Sequence, residues 1–161
     1  MSTEDQSKYT DLETYEMGAL LNSINDLDQS VANAVQNAIP QIECFCSNTL
    51  LKMKNGGRLF YVGSGTSGRL GIVDASECPP TYGVDHGVVV GIIAGGDIAI
   101  RKAVEFAEDD TAACYKQLLE HGIHPNDTVI GISASGKTPY VLGAMNACRE
   151  NGISTGSVVC N

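Results

Sequence analysis

A chain of 161 residues, 43% hydrophobic and 18% charged, is long enough for one domain with a real core and has the make-up of an ordinary globular protein. Ten basic against nineteen acidic side chains leave a net charge of −9, which argues against a nucleic-acid partner, because such binding depends on clustered Lys and Arg. The longest apolar run, Val88 to Ala94, falls far short of the roughly 20 residues a bilayer needs, and the acidic opening Met1-Ser2-Thr3-Glu4-Asp5 has no signal-peptide core, so the sequence predicts a cytoplasmic protein with no membrane contact.

Up to about Lys54 the chain reads as helical. Met17, Leu20, Leu21 and Ile24 follow the i, i+3, i+4, i+7 spacing of one helix face. Asp26 or Asp28 is placed to cap a second helix, with Val31, Val35, Ala38, Ile39, Ile42, Phe45 and Leu50 as its apolar positions. Pro40 predicts a kink or break in it, and Gly56-Gly57 its end. From Arg58 strands and helices alternate. Leu59-Phe60-Tyr61-Val62 is a buried strand, followed by a helix from about Thr66 to Ala75. Val88 to Ile93 is the second strand and Ile98 to His121 a long helix, although its apolar spacing is imperfect. Thr128 to Ile132 is the third strand. Thr138 to Glu150 is a helix with Pro139 near its start and Gly152 just past its end, and Ser154 to Val159 is a fourth strand. The expected fold is α/β: residues 1–55 form a helical segment, and residues 56–161 a parallel sheet covered by helices on both faces. No covering helix follows the fourth strand, which reads as an incomplete domain.

Cys44, Cys46, Cys78, Cys114, Cys148 and Cys160 form no Cys-x-x-Cys pair, so they predict reduced, mostly buried thiols and no metal site. His86, His121 and His124 stand beside Gly or Pro and read as loop residues.

Two loops carry the chemistry. Gly63-Ser64-Gly65-Thr66-Ser67-Gly68 leaves a strand and opens a helix, where glycines admit close approach of a ligand and helix N-terminal N–H groups attract an anion. It matches the dinucleotide fingerprint G-x-G-x-x-G literally, but the acidic residue expected about 20 positions on is missing, the first acid past the second strand being Asp97. Three hydroxyl-bearing and backbone donors at Ser64, Thr66 and Ser67, with Gly65 between them, suit a terminal phosphate better. Ser133-Ala134-Ser135-Gly136-Lys137-Thr138 likewise leaves a strand for a helix, with hydroxyls at Ser133, Ser135 and Thr138 and a cation at Lys137, though not in P-loop spacing. Two such loops at the carboxyl ends of neighbouring strands lie where open α/β sheets bind ligands. In a chain this acidic, the local donors must overcome a field that repels anions. Two acidic features accompany them. Pro79-Pro80 predicts the end of the preceding helix, which leaves Glu77 on a stiff turn as a candidate general acid or base. Glu105, Glu108, Asp109 and Asp110 cluster on the predicted long helix, where composition alone reads as a solvated face.

At these residues the chain resembles the N-acetylmuramic acid 6-phosphate etherase family. The resemblance is carried by Gly65-Thr66-Ser67-Gly68-Arg69-Leu70-Gly71, by Asp74-Ala75-Ser76-Glu77-Cys78-Pro79-Pro80-Thr81-Tyr82-Gly83, and by Ala103-Val104-Glu105 with Ala107-Glu108-Asp109. Ala134-Ser135-Gly136, Thr138-Pro139-Tyr140-Val141 and the closing Cys160-Asn161 also fit, so that it runs from about Asn22 to the last residue. It implies a flavodoxin-like sugar isomerase (SIS) domain and a carbon–oxygen lyase. The D-lactyl ether of N-acetylmuramic acid 6-phosphate is cleaved to N-acetylglucosamine 6-phosphate and D-lactate, in cell-wall sugar recycling, with no metal or organic cofactor. It implies Glu77 as the acid for lactate departure and Glu108 as the base at C2, with Ser64, Gly65, Thr66, Ser67, Ser133, Ser135, Lys137 and Thr138 holding the phosphosugar, and a homodimer. Ser64 departs from the family's usual Ala and Lys137 from its usual Arg, and family members continue well beyond this chain. The competing reading is a non-catalytic phosphosugar-binding regulator of the glucokinase regulatory protein type, which shares the Gly-Thr-Ser-Gly-Arg loop but lacks the Asp-Ala-Ser-Glu-Cys-Pro-Pro segment.

Overall fold

The structure is a computed structural model that describes Thr3 and residues 5–160; Met1, Ser2 and Glu4 of the acidic opening and the closing Asn161 lie outside the described residues. The chain forms two compact units, one running to Ser47 and the other from Asn48 onward.

After a single 3-10 turn at Leu12–Thr14, one helix of 38 residues, α1 (Met17–Lys54), replaces the two that the sequence predicts. Neither Asp26 nor Asp28 starts a helix, and Pro40 lies inside this one. A proline deprives the carbonyl four residues back, here that of Gln36, of its donor, but it removes only one bond from a long ladder. Met17, Leu21, Ile24, Leu27, Val31 and Val35 carry the apolar spacing along α1 and are all exposed.

The second unit is a four-stranded parallel sheet in the order β2-β1-β3-β4, from β1 (Leu59–Gly63), β2 (Val89–Ile93), β3 (Thr128–Ile132) and β4 (Ser154–Val158). This is the start of the flavodoxin-like order. The helices are α2 (Gly65–Tyr82), α3 (Gly96–Arg101), α4 (Ala113–Glu120) and α5 (Pro139–Glu150). Side chains alternate across each strand. Phe60, Val62 and Val129 enter the core with Cys114 and Leu118 of α4 and Tyr140, Val141, Ala144 and Cys148 of α5. α2 crosses the sheet so closely that a Cβ on Gly71 would lie 2.6 Å from Tyr61 Cβ.

Two further helix predictions need correction. α2 does not stop before Pro79-Pro80 but runs through them to Tyr82, so Glu77 lies on a helix and not on a stiff turn. The prolines occupy the final turn, and Gly83, at φ 68°, closes it with a 2.9 Å bond from its N–H to Pro79 O. The long helix expected from Ile98 to His121 is broken into α3 and α4. Lys102 is extended, Phe106 takes a left-handed φ of 62°, and Asp110 Oδ1 accepts the Ala112 and Ala113 N–H groups at 2.9 and 3.0 Å as α4 begins. Glu105, Glu108, Asp109 and Asp110 therefore sit on a connection between helices.

A polar clamp that the sequence does not advertise ties β1 to β3 at their amino ends. Asp127, immediately before β3, is fully buried. Its Oδ1 accepts the Arg58 N–H at 2.8 Å and Arg58 Nε at 3.2 Å, and its Oδ2 accepts Arg58 Nη2 at 2.8 Å and the His124 N–H at 3.0 Å. The Arg58 guanidinium also donates to His121 O and Gly122 O, each at 2.9 Å. Burial alone would raise the Asp127 pKa, but the Arg58 and His124 hydrogen bonds and the Arg58 charge outweigh it and hold the carboxyl below its ordinary range.

The cysteines also differ from expectation. Only Cys114 and Cys148 are buried, whereas Cys78 is half-buried and Cys44, Cys46 and Cys160 are exposed. Cys44 and Cys46 lie on α1, Cys78 on α2, and Cys160 follows β4. Burial pushes the Cys114 thiol up to about 12 and Cys148 to about 11. With a disulfide reagent at mildly alkaline pH, Cys44, Cys46 and Cys160 are expected to react at once and Cys114 and Cys148 only after denaturation, as peptide mapping of the labelled protein would show.

Candidate functional site

The register of β1 on β3 pairs Gly63 with Ile132, so Ser64 and Ser133, the next residues, leave the sheet side by side at its carboxyl edge. The two predicted loops are thus neighbours. At the first, a Cβ on Gly68 would lie 2.5 Å from Ile93 Cγ1 and 2.8 Å from Gly63 O, so only glycine lets α2 start this close to the strand. The Gly68 N–H makes a 3.1 Å bond to Ser64 O. The N–H groups of Gly65, Thr66 and Ser67 precede the helical ladder and face the open end of α2.

The second loop is tied together from within. Ser133 is buried, and its hydroxyl meets that of Thr138 at 2.8 Å while accepting the Gly136 N–H at 3.1 Å. Ser135 Oγ accepts the Lys137 N–H at 3.2 Å, and Lys137 itself is exposed. As they stand, Ser133 and Thr138 shape the loop, and Ser135 and Lys137 are its accessible polar groups.

Glu108 comes to the first loop from the α3–α4 connection. Its Oε2 accepts the Ser64 hydroxyl at 2.9 Å, and its backbone carbonyl accepts the Tyr140 N–H of α5 at 2.9 Å. Glu108 is therefore fixed to both loops, through Ser64 and through the first turn of the helix that follows Thr138. Together Ser64, Gly65, Arg69, Phe106 and Glu108 border an open cleft of about 180 Å³. This is smaller than the roughly 300–1,000 Å³ of a complete ligand pocket. Arg69, which sequence reasoning passed over, supplies the cleft's cation. It stands one helical turn after Gly65, a spacing that places it on the same face of α2, and its Nε donates to Ile100 O at 3.0 Å.

Glu77 is not brought to this cleft. It is exposed on α2, twelve residues after Gly65, and so lies about 18 Å farther along the helix axis at 1.5 Å per residue.

The connection that carries Glu108 is seated against α5 at Gly143. A Cβ there would fall 1.9 Å from Thr111 O, so Gly143→Ala must push the connection away. A loss of about 1–3 kcal/mol is expected in chemical denaturation, together with a weakened Tyr140–Glu108 backbone bond read as faster amide exchange at Tyr140.

A family model described as glucokinase regulatory protein N-terminal SIS domain matches residues 41–149. Over 159 residues the chain is 55% identical to an N-acetylmuramic acid 6-phosphate etherase of Bacteroides fragilis, covering 99% of this chain and 57% of that protein. It is 51% identical to one of Christiangramia forsetii, covering 99% and 58%. The chain thus spans a little over half the length of the curated relatives it matches. Among solved structures, a phosphoheptose isomerase from Francisella tularensis superposes with a TM-score of 0.61 at 20% identity, covering 86% of this chain and 74% of that one, a likeness that shows the fold alone. The sheet order, the two strand-to-helix loops and these matches lead to one assignment: the chain belongs to the SIS-domain family, and within it is similar to the N-acetylmuramic acid 6-phosphate etherases over a little over half their length.

Proposed function

We propose that this chain is the phosphosugar-binding part of a cytoplasmic carbon–oxygen lyase that cleaves the D-lactyl ether of N-acetylmuramic acid 6-phosphate. The observation that carries this reading is the Glu108 carboxylate beside the open N-terminus of α2, a base next to a place for an anion. The phosphate is held by the N–H groups of Gly65, Thr66 and Ser67, the hydroxyls of Thr66 and Ser67, and Ser135 and Lys137 of the neighbouring loop, with Ser133 and Thr138 keeping that loop in shape.

The chemistry follows from the substrate. In the open-chain sugar the C2–H is acidified by the C1 aldehyde, and Glu108 removes that proton. The electron pair forms the C2–C3 double bond as the C3–O bond breaks, and the departing lactate oxygen takes a proton from Glu77. Water then adds, hydroxyl to C3 and proton to C2, and gives N-acetylglucosamine 6-phosphate. Two carboxyls in different protonation states divide this work.

The roughly 18 Å between Gly65 and Glu77 along α2 exceeds the span of a hexose phosphate anchored at the first loop. This supports a homodimer in which Glu77 reaches the cleft of the other copy, the partner arrangement the part-sized cleft also favours.

The test is deuterium incorporation at C2 when the chain meets N-acetylglucosamine 6-phosphate in heavy water, with D-lactate release from N-acetylmuramic acid 6-phosphate measured beside it. If neither reaction occurs in this chain or in a version extended to the length of its relatives, while the sugar phosphate still binds, the protein is a phosphosugar-binding regulator and the lyase reading is lost. Binding of NAD in place of the sugar phosphate would remove both readings.

A further inference from the structure

We infer that Ser64 is a positioning residue for Glu108 and not a phosphate donor; this rests on the reading of Glu108 as the base at C2. Ser64 occupies the N-cap of α2, with φ −121° and ψ 157°. A serine there ordinarily turns its oxygen back to accept an N–H from the first turn of its own helix. Ser64 makes no such bond. Its hydroxyl instead reaches a residue 44 positions away and meets Glu108 Oε2 at 2.9 Å.

Two consequences follow from that choice. A hydroxyl has a single proton to donate, and an ionised carboxylate can only accept. The Ser64 proton therefore goes to Glu108 and is not available to a phosphate oxygen. Because the serine oxygen does not cap α2, the first-turn N–H groups stay turned toward the cleft, where an anion meets them.

The same bond restrains a side chain that little else holds. Tyr140 fixes the Glu108 backbone through its carbonyl, but the Glu108 side chain is exposed and would otherwise sample several rotamers. Holding one oxygen on Ser64 leaves the other, Oε1, directed by a single geometry. Oriented groups react far faster than freely rotating ones, and a displacement of about 1 Å can cost on the order of a hundredfold in rate.

The experiment compares Ser64→Ala and Ser64→Thr with the parent chain in two measurements. In the first, three-bond carbon and proton couplings in protein labelled with ¹³C-glutamate read the Glu108 side-chain rotamer. One dominant rotamer is expected in the parent and in Ser64→Thr, which keeps the hydroxyl, with averaged couplings in Ser64→Ala. In the second, the saturated rate of C2 deuterium exchange is expected to fall about tenfold in Ser64→Ala and to recover in Ser64→Thr, while the affinity for N-acetylglucosamine 6-phosphate stays within about twofold. Weakened sugar-phosphate binding with an unchanged saturated rate would make Ser64 a phosphate donor and overturn the inference. So would unchanged Glu108 couplings in Ser64→Ala. The couplings need no turnover, so they alone decide the role of Ser64, while the lyase reading falls only if neither this chain nor a version extended to the length of its relatives catalyses exchange.

Discussion

Glu108→Gln is expected to lower C2 deuterium exchange by roughly 10²- to 10⁴-fold, the range lost when a positioned general base is removed. Gln is the informative replacement because it keeps the length of Glu and can accept the Ser64 hydroxyl through its amide oxygen. The connection, the Tyr140 bond to the residue 108 carbonyl and the two hydroxyl-rich loops then stay as they are. Binding of N-acetylglucosamine 6-phosphate is expected to persist, so the loss falls on turnover. Glu77→Gln is expected to suppress lactate release to a similar degree and to spare C2 exchange, which needs no departing alcohol. The geometry of α2 adds a sharper expectation. If Glu77 serves the other copy, each site of a mixed dimer draws on two chains, and one of its two sites is intact. Mixing the two inactive variants under exchange of subunits should therefore restore lactate release to about a quarter of the parental rate. Activity that stays at the level of the separate variants would place both glutamates in one chain's site.

Asp127→Ala is expected to cost about 3–5 kcal/mol, the range seen when one member of a buried ion pair is removed and the other stays behind. Four donor groups lose their acceptor: the Arg58 N–H, Nε and Nη2 and the His124 N–H. For a chain of this length the midpoint of thermal unfolding should drop by roughly 10 °C. Asp127→Asn keeps the shape and one acceptor and should lose less. The charge gives a second readout. The folded pKa of Asp127 lies below its unfolded value, which for an ordinary aspartate is about 3.9. Its contribution is complete above that unfolded value and disappears as the pH falls from there through the folded value. Parent and Asp127→Asn stabilities should therefore converge in acid and stay parallel near neutrality. Parallel curves down to the acid limit would show that the Asp127 charge adds nothing.

The positions of the strands were legible because runs such as Leu59 to Val62 and Thr128 to Ile132 are short, apolar and followed by glycine or serine at the turn into a helix. Helix ends were not, for physical reasons that differ from place to place. Pro79 and Pro80 speak locally for a stop, yet a final turn needs few donors and Gly83 closes it beyond them. Between Arg101 and Ala113, Ala, Val and Phe residues at near-helical intervals mask a break whose signal was Asp110 before an alanine pair, an N-terminal cap in the middle of a supposed helix. The candidate site was legible in its parts. The two hydroxyl-rich loops are neighbours, and Glu108 stands at one of them. Its partner Ser64 and the supporting contact between Gly143 and Thr111 depend on residues far apart in sequence that only the packing of α5 against the α3–α4 connection brings together. Arg58 with Asp127 was hidden for the same reason, since neither belongs to a local pattern.

The strands β1 and β3 place the Arg58–Asp127 clamp at one edge of the sheet and Ser64 with its neighbours at the other, five residues or about 16 Å away. Perturbations that far apart, with no shared partners, add nearly independently. Substitutions at Asp127 and at Glu108 should therefore combine without epistasis, one changing how much protein is folded and the other what the folded protein does. A lineage that drifts in its loops toward a new ligand would keep its foundation while it does so, and the clamp would stay free to be tuned for a different temperature.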